Sequence, residues 1–253
     1  MGRRGVRVED AGRWVFNRLA EDYRGRPGYP AGLLDRLAEL AGGPGRTVLD
    51  LGAGTGLIAL PLAARGLEVI AVEPAEAMLR VLGEAAPPRV RAVHAAAERT
   101  GLPPGTAELA VLADALHWVE AEPVGREVAR VLRPGGIVAV VEARPAPTPF
   151  MSAITALIEA ANFKARRPAG PASRREQLLR GAGAVRETVE WFEHAEPLDP
   201  DRLDAVLRSL SLVGPALGAS AVEALLGAAR QLAAASGGAV WARELSLAWA
   251  RVP

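Results

Sequence analysis

The sequence predicts an α/β protein built around a doubly wound, mainly parallel β-sheet. Two observations support this fold class. Short apolar runs rich in Val, Leu, Ile and Ala alternate with single helices across residues 30–142, and continuous apolar runs are typical of parallel strands covered on both faces. The first run is followed at once by a glycine-rich turn at residues 52–56, the place where an open α/β sheet commonly binds a ligand.

The first predicted helix covers residues 30–40. Pro30 suits its first turn, because proline has a fixed φ and the missing N–H is not needed there. Leucines recur along one face, and Gly42 and Gly43 end the helix. The following elements alternate, with strands at residues 47–51, 67–72, 89–94, 107–113 and 137–142, and helices at residues 57–65, 75–82 and 124–132.

A proline-rich stretch at residues 144–149 marks a change of organisation. Beyond it we expect a helix at 151–163, a half-exposed strand at 185–193, and a helical segment at 199–235 that is broken near Gly214 and Pro215. The last segment repeats large apolar residues at period two, which predicts a final strand: Trp241, Leu245, Leu247 and Trp249. The expected division is N-terminal cap helices at 1–45, a ligand-binding core at 46–143, and lid helices with the last strands at 144–253.

The composition excludes several classes of function. Lys and Arg number 30 and Asp and Glu 29, so the net charge is only +1 and we expect no nucleic-acid partner. The absence of cysteine excludes disulfides, thiolate metal sites and a cysteine nucleophile. No cluster of metal-ligating residues is present, so no metal site is expected. Neither a secretory signal nor a membrane-length apolar run is found, which favours a cytoplasmic location without membrane attachment.

The glycine turn carries the sharpest signal in the chain. Asp50 precedes glycines 52, 54 and 56 between the first strand and its helix. Glycine permits the tight turn and close approach of a ligand to the backbone, and the free N–H groups of the next helix face the same point. Dinucleotide-binding folds favour G-x-G-x-x-G rather than this G-x-G-x-G spacing. At this point a nucleotide-type ligand and a purely structural turn both remain open.

Glu73 favours a nucleotide-type ligand over a purely structural turn, because it lies at the end of the second predicted strand. A carboxylate there is able to accept hydrogen bonds from two adjacent ribose hydroxyls, as in dinucleotide enzymes. The alternative is a solvated glutamate at a strand end. Together with the glycine turn, Glu73 predicts a ligand of the adenosine type without identifying it.

These motifs and others in the same order resemble the class I S-adenosylmethionine-dependent methyltransferases, specifically the broad type 11 group that includes trans-aconitate methyltransferase-like enzymes. The matching segments lie at residues 26–30, 48–56, 72–74 with Met78, 97–98, 102–103, 115–118 and 131–136. The resemblance implies a Rossmann-like seven-stranded sheet with helical lid insertions. It also implies an antiparallel C-terminal strand pair, with the helices of residues 199–235 inserted between its strands.

Carried over by position, the resemblance implies S-adenosylmethionine as cofactor. The glycine turn would hold its methionine part, Asp50 would lie near its amino group, and Glu73 would bind its ribose. Ala96 departs from the pattern, since many relatives carry Asp or Thr there to hydrogen-bond the adenine amino group. The full predicted cofactor-binding set is Asp50, Gly52, Gly54, Gly56, Glu73, Pro74, Met78, Ala96, Ala97 and Ala113.

The catalytic candidates follow the fourth strand, at the same sheet edge as the turn. His117 is the histidine best placed to act as a base, and Asp114 is the second candidate. The alternatives are that His117 anchors a loop and that Asp114 caps the next turn. The predicted substrate-binding residues are Tyr23, Arg26, Tyr29 and Trp118, although Tyr29 could simply pack beneath the first helix.

The predicted function is therefore methyl transfer from S-adenosylmethionine to oxygen or nitrogen of a small molecule. Two alternatives stay open: a non-catalytic protein that binds S-adenosylmethionine, and a nicotinamide-dependent oxidoreductase. Nucleic-acid methylation is weaker, because no basic surplus is present and no Asn-Pro-Pro-Tyr-like motif follows the fourth strand. The sequence does not identify the acceptor or the oligomeric state.

Overall fold

The computed structural model describes residues 16–162 and 172–253. It contains one seven-stranded sheet with strand order β3-β2-β1-β4-β5-β7-β6. The strands are β1 Thr47–Leu51, β2 Glu68–Glu73, β3 Val90–His94, β4 Ala107–Ala113, β5 Leu132–Pro145, β6 Thr188–Leu198 and β7 Ala239–Arg251. The helices are α1 Ala31–Ala41, α2 Ala59–Ala64, α3 Glu76–Ala85, α4 Ala121–Val131, α5 Pro149–Ala161, α6 Ala172–Gly181, α7 Pro200–Ser209 and α8 Ala219–Ala235, with short 3-10 helices at Asp22–Gly25 and Leu116–Trp118.

The pairing of the strands confirms the predicted fold class. Strands β1 to β5 are mutually parallel where they pair, whereas β7 is antiparallel to both β5 and β6. From β1, the next strands along the chain lie on one side as β2 and β3, and the later ones begin on the other side with β4, so the strand order reverses here. The strands β1 and β4 are parallel, so both end at the same edge of the sheet. Asp50 is in register with Ala71 of β2 and Val111 of β4, at this reversal. Ligands of open α/β sheets bind at such a switch point.

Both faces of the sheet are covered by apolar layers, which explains the continuous hydrophobic runs of its strands. On one face, Leu33 and Leu37 of α1 pack with Val48 and Val111. On the other, α4 and α6 pack against the alternate residues of the same strands. Helices α5, α7 and α8 form a further apolar cluster with Trp241 of β7. This last cluster places a helical layer beside the sheet's carboxyl edge, where the candidate site lies.

Strands β5 and β6 differ most from the sequence-based boundaries. Strand β5 runs from Leu132 to Pro145 rather than 137–142, and β6 is Thr188–Leu198 rather than 185–193. The segment 193–198 contains Glu, Ala and Pro, which have weak strand propensity, but it pairs with β7 along its whole length. The predicted helix at 151–163 ends at Ala161, and residue 163 lies outside the described residues, as do residues 1–15 of the predicted cap.

Two features are absent from the described ranges. Within residues 16–162 and 172–253, no helix is both long enough and apolar enough to cross a membrane. In the same ranges, no group of three or more His, Asp or Glu side chains is arranged to hold a metal ion.

Candidate functional site

A cavity of about 530 Å³ opens at the carboxyl edge of β1, β2 and β4. The predicted cofactor residues other than Gly56 all line it. So do the four predicted substrate residues and the catalytic candidate Asp114. The topology therefore brings together side chains that are far apart in the sequence, because parallel strands end at one edge.

The three glycines of the turn differ in the space around the position where a Cβ atom would lie. All have positive φ, at +74° for Gly52, +55° for Gly54 and +91° for Gly56. A Cβ atom at Gly52 would lie 2.8 Å from Ala115 Cβ, and one at Gly56 would overlap Leu82. A Cβ at Gly54 would meet nothing within 4 Å. Gly54 is therefore the position where the backbone borders open cavity, whereas Gly52 and Gly56 serve close packing.

Glu73 ties the glycine turn to β2. Its Oε2 accepts a hydrogen bond from the N–H of Gly54 at 3.0 Å, and its Oε1 accepts one from the N–H of Ala75 at 2.8 Å. The carboxylate is buried, and burial raises its pKa above the ordinary value. Each carboxylate oxygen still has a lone pair free. Glu73 thus holds the turn and keeps acceptor capacity for a ligand in the cavity.

Asp50 is a buried carboxylate with an unsatisfied oxygen. The residue is 1 % exposed, and its Oδ2 has no hydrogen-bond partner within the described parts of the chain. Burial, followed by the nearby charge of Glu73, raises the pKa of Asp50 to about 7. Leaving a buried carboxylate oxygen unpaired is costly. The wall of the cavity therefore offers a strong acceptor suited to a cationic donor.

Asp114 joins the ends of β4 and β5 to the N-terminal segment. Its Oδ1 accepts a hydrogen bond from the N–H of Ala143 at 2.9 Å, and its Oδ2 accepts one from the hydroxyl of Tyr29 at 3.0 Å. Its φ is +50°, and no other non-glycine residue of the described ranges has a positive φ. Such a backbone costs about 1–3 kcal/mol and is often found at functional sites. The 3-10 helix that follows has Ala115 at its N-cap, so Asp114 does not cap it.

Tyr29 and Arg243 lie beside Asp114. Burial and the charge of Asp114 raise the pKa of Tyr29 well above its ordinary value, so the phenol stays a neutral donor. The guanidinium of Arg243 lies 5.8 Å from the ring centre of Tyr29, and it donates to the carbonyl oxygens of Pro27 (3.3 Å) and Gly28. Burial lowers the pKa of Arg243, and its Nε has no partner in the described parts of the chain.

Arg243 is the site residue that sequence analysis missed. It stands on β7 two residues from Trp241 and two from Leu245, so it belongs to the period-two series that was assigned to the strand's apolar face. A single arginine in such a series is a detectable signal of an inward-pointing charge. The sequence gives no indication of its neighbours, which come from the other end of the chain.

A second cavity of about 390 Å³ adjoins the first. The two cavities share lining residues, among them Tyr23, Arg26 and Arg243. His117 lines only the second cavity, and its ring centre lies 5.0 Å from that of Trp118. The other walls come largely from α5, α7 and β7 and are mainly apolar: Met151, Ile154, Ile158, Val206, Leu210 and Trp241.

The N-terminal segment closes the junction between the cavities. The guanidinium carbon of Arg26 lies 4.0 Å from the ring centre of Tyr23, and Arg26 donates to Ser209 Oγ at 2.8 Å and to the Ser209 carbonyl oxygen at 2.9 Å. Phe16 packs edge-on against Trp118, with ring centres 4.8 Å apart. Contacts with α7 and with the loop after β4 thus hold this segment over the site.

Comparison with known proteins agrees with this geometry. Residues 49–140 match the protein family described as a methyltransferase domain. Uncharacterized methyltransferases of Mycobacterium bovis and Mycobacterium tuberculosis are 47% identical over 113 residues, which is 45% of this chain and 45% of theirs. A probable S-adenosylmethionine-dependent methyltransferase of Saccharomyces cerevisiae is 28% identical over 117 residues, 44% of this chain and 40% of that protein. The chain thus matches less than half the length of these curated relatives.

A solved structure extends the likeness to almost the whole chain. A protein of Anaeromyxobacter dehalogenans, assigned provisionally as a type II methyltransferase, superposes with a TM-score of 0.59. Its sequence is 27% identical, and the alignment covers 90% of this chain and 97% of that one. The residues of the family match include Asp50, the glycine turn, Glu73 and Asp114.

Proposed function

Because the chain contains a class I S-adenosylmethionine-dependent methyltransferase domain of the type 11 group, we propose that the protein transfers a methyl group from S-adenosylmethionine to a small-molecule acceptor. The observation that carries the proposal is the unpartnered carboxylate oxygen of Asp50 on the wall of a cavity that Glu73 also lines. A cationic amino group and a pair of ribose hydroxyls are the partners that these two carboxylates lack.

The residues present fit this cofactor. The free Oδ2 of Asp50 suits the amino group of the methionine part, and the open space at Gly54 admits that part against the backbone. The remaining lone pairs of Glu73 suit the ribose hydroxyls. Pro74 and Met78 supply apolar surface for an adenine ring, and Ala97 contributes to the same wall. Gly56, in this account, supports the turn from outside the cavity.

When bound, S-adenosylmethionine supplies an electrophilic methyl group on a sulfonium. The chain's own task is to position the acceptor in line with that group and to exclude water. Positioning of this kind contributes about 7–11 kcal/mol to rate enhancement. The second cavity, which meets the first at Tyr23, Arg26 and Arg243, is the proposed acceptor site.

We assign His117 and Asp114 different parts in this account. His117 lines the acceptor cavity and is the proposed base for an acceptor that must lose a proton, such as a phenol. Both oxygens of Asp114 already accept hydrogen bonds, from Ala143 and Tyr29. Its proposed part is therefore to position Tyr29 at the junction of the cavities rather than to take a proton.

The adjoining cavity favours an enzyme over a non-catalytic S-adenosylmethionine-binding protein, because an acceptor has room beside the cofactor. O- or N-methylation is the proposed reaction. A cytoplasmic location, the absence of a nucleic-acid partner and the division of the chain at residues 45 and 143 stay predictions.

Calorimetric titration of the full chain tests the proposal. We expect S-adenosylmethionine and S-adenosylhomocysteine to bind and NAD not to bind. Glu73→Ala should weaken binding at least tenfold, since hydrogen bonds to a charged group are each worth about 1.5–3 kcal/mol. Glu76→Ala is the matched control, because Glu76 is exposed and lies outside the cavity. Binding of NAD alone, or equal affinities for the two variants, would contradict the proposal.

A further inference from the structure

Arg243 presents a cation at the junction of the two cavities. It lies at an inward position of β7 and is half-buried, and it lines the first cavity as well as the second. Arg26 lines both cavities from the opposite end of the chain. The two guanidinium groups are close enough that the charge of Arg26 contributes to the lowered pKa of Arg243.

Neither arginine has a carboxylate partner in the described parts of the chain. Among the described residues, the guanidinium of Arg243 donates to the carbonyl oxygens of Pro27 and Gly28, and the guanidinium of Arg26 donates to Ser209. The other arginines without an ion pair in these ranges are all exposed to solvent. Arg26 and Arg243 are thus the half-buried cations that the described residues leave without a counter-ion.

The charges of Asp114 and Glu196 act on Arg243 from a distance, but neither carboxylate forms an ion pair with it among the described residues, and both have other partners. The oxygens of Asp114 accept from Tyr29 and Ala143, and Glu196 on β6 pairs with Arg202. Taking a guanidinium out of water without a paired anion is costly. The buried Nε of Arg243, which has no partner, leaves one donor of the planar fork unsatisfied. The positive charge of the guanidinium and this free N–H donor suit an oxyanion, which accepts charge-assisted hydrogen bonds.

The rest of the second cavity restricts the body of the ligand. Helix α5 contributes Met151, Ile154 and Ile158 to its wall, and Trp241 lies on β7 beside Arg243. The other charged groups of this lining are Glu159, Asp114 and Arg144, of which Arg144 pairs with Glu244 at 2.7 Å. A ligand that fills this space has an apolar body and carries its charge at the end that faces the first cavity.

We propose that the methyl acceptor is an amphipathic anion, with its apolar body in the second cavity and an oxyanion group bound by Arg243 and Arg26. The inference rests on the proposed function, since it names the acceptor class of the same site. Arg243 then acts as the specificity-determining residue. It binds the oxyanion beside the cofactor cavity and rejects cationic molecules of equal size.

The test compares matched ligands on the full chain saturated with S-adenosylhomocysteine. The probes are 3-phenylpropanoate, 3-phenylpropan-1-ol and 3-phenylpropylamine, which differ only in their end group, and a hexanoate, hexanol and hexylamine series repeats the comparison. Calorimetry is expected to give binding of the carboxylates, with the alcohols and amines at least tenfold weaker. Arg243→Gln should remove most of this preference, because it deletes the charge-assisted hydrogen bonds. Arg251→Gln, at an exposed position of the same strand, should retain it.

The outcomes separate this inference from the proposed function. If S-adenosylhomocysteine binds but amines or alcohols bind as tightly as the carboxylates, or if no carboxylate binds at millimolar concentration, the acceptor class is wrong and the cofactor assignment stands. If S-adenosylhomocysteine itself does not bind, both proposals fail. The comparison of probes on the unmodified chain does not depend on the folding of any variant. Retention of the carboxylate preference by a folded Arg243→Gln variant would also overturn the inference.

Discussion

Replacing Asp50 with asparagine is expected to stabilise the ligand-free protein while it removes cofactor binding. The carboxyl of Asp50 is buried, and its pKa rises from an ordinary value of 3.8 to about 7. A group whose pKa is higher in the folded state favours folding fully only below its unfolded pKa, and this contribution is lost as the pH rises to the folded pKa. Above pH 7, the folded protein therefore bears the whole cost of a buried charge.

The size of the effect follows from the pKa. The difference between a pKa of 3.8 and one of about 7, at about 1.36 kcal/mol per pH unit, amounts to about 4 kcal/mol above pH 7. Asp50→Asn removes this cost, but the asparagine amide costs about 1–2 kcal/mol in turn, because its N–H group is desolvated without a partner. The expected net stabilisation by Asp50→Asn is about 2–3 kcal/mol at pH 8. At pH 5 the folded carboxyl is largely protonated, whereas the unfolded one, with a pKa of 3.8, is still ionised, so burial of Asp50 costs about 1–2 kcal/mol. This cost offsets the loss from the asparagine amide, and the expected net gain is about zero.

Urea unfolding of the ligand-free protein at pH 8 and pH 5 measures this difference. Asp35→Asn is the matched control, because Asp35 is exposed and pairs with Arg65 at 2.7 Å. Loss of such a surface ion pair costs about 0–1 kcal/mol at either pH. A variant Asp50→Asn that is less stable than the unmodified protein at pH 8, or equally stabilised at both pH values, would refute the reasoning.

Three further predictions follow from the same geometry. The affinity for S-adenosylmethionine should fall at least severalfold between pH 7.5 and pH 6, because the carboxyl of Asp50 must lose a proton before it binds a cationic amino group. An affinity that does not change over this pH range would contradict the prediction. Gly54→Leu should block binding of the cofactor and cost only about 1–2 kcal/mol of stability for its left-handed backbone, since position 54 borders open space. Gly56→Ala has the same backbone cost and should lose about 1–3 kcal/mol more through overlap with Leu82; equal midpoints for the two variants would show that the assignment of the glycines is wrong. Tyr29→Phe should lower stability by about 1–2 kcal/mol, because Oδ2 of Asp114 loses its donor, and it should slow methyl transfer in a radiolabel assay once an acceptor is found; an unchanged stability would show that this hydrogen bond is not formed.

The core of the fold was predictable because each strand that leads to the site is continuously apolar. In the sequence, a strand is followed by the glycine turn, a helix and a second strand that ends at Glu73. This order predicts two parallel strands, whose carboxyl ends lie at the same edge of the sheet. The antiparallel end of the sheet was predictable only through the family resemblance. Local sequence placed β6 too early, because residues 193–198 have weak strand propensity and become a strand through pairing with β7.

The candidate site was predictable in its cofactor half and less so in its acceptor half. Asp50, Gly54 and Glu73 lie within short motifs, so their spacing indicates their neighbours. The junction instead joins Arg26 and Arg243 from opposite ends of the chain, and no local pattern pairs them. Likewise, no local pattern indicates the positive φ of Asp114 or the hydrogen bonds that its carboxylate accepts from Tyr29 and Ala143.

The position of S-adenosylhomocysteine in a crystal of the full chain tests the central claim most directly. We expect the amino group of the ligand to lie about 3 Å from Oδ2 of Asp50 and both ribose hydroxyls to contact Glu73. The sulfur should face the junction formed by Tyr23, Arg26 and Arg243. A ligand bound elsewhere, or one that leaves Oδ2 of Asp50 without a partner, would contradict it.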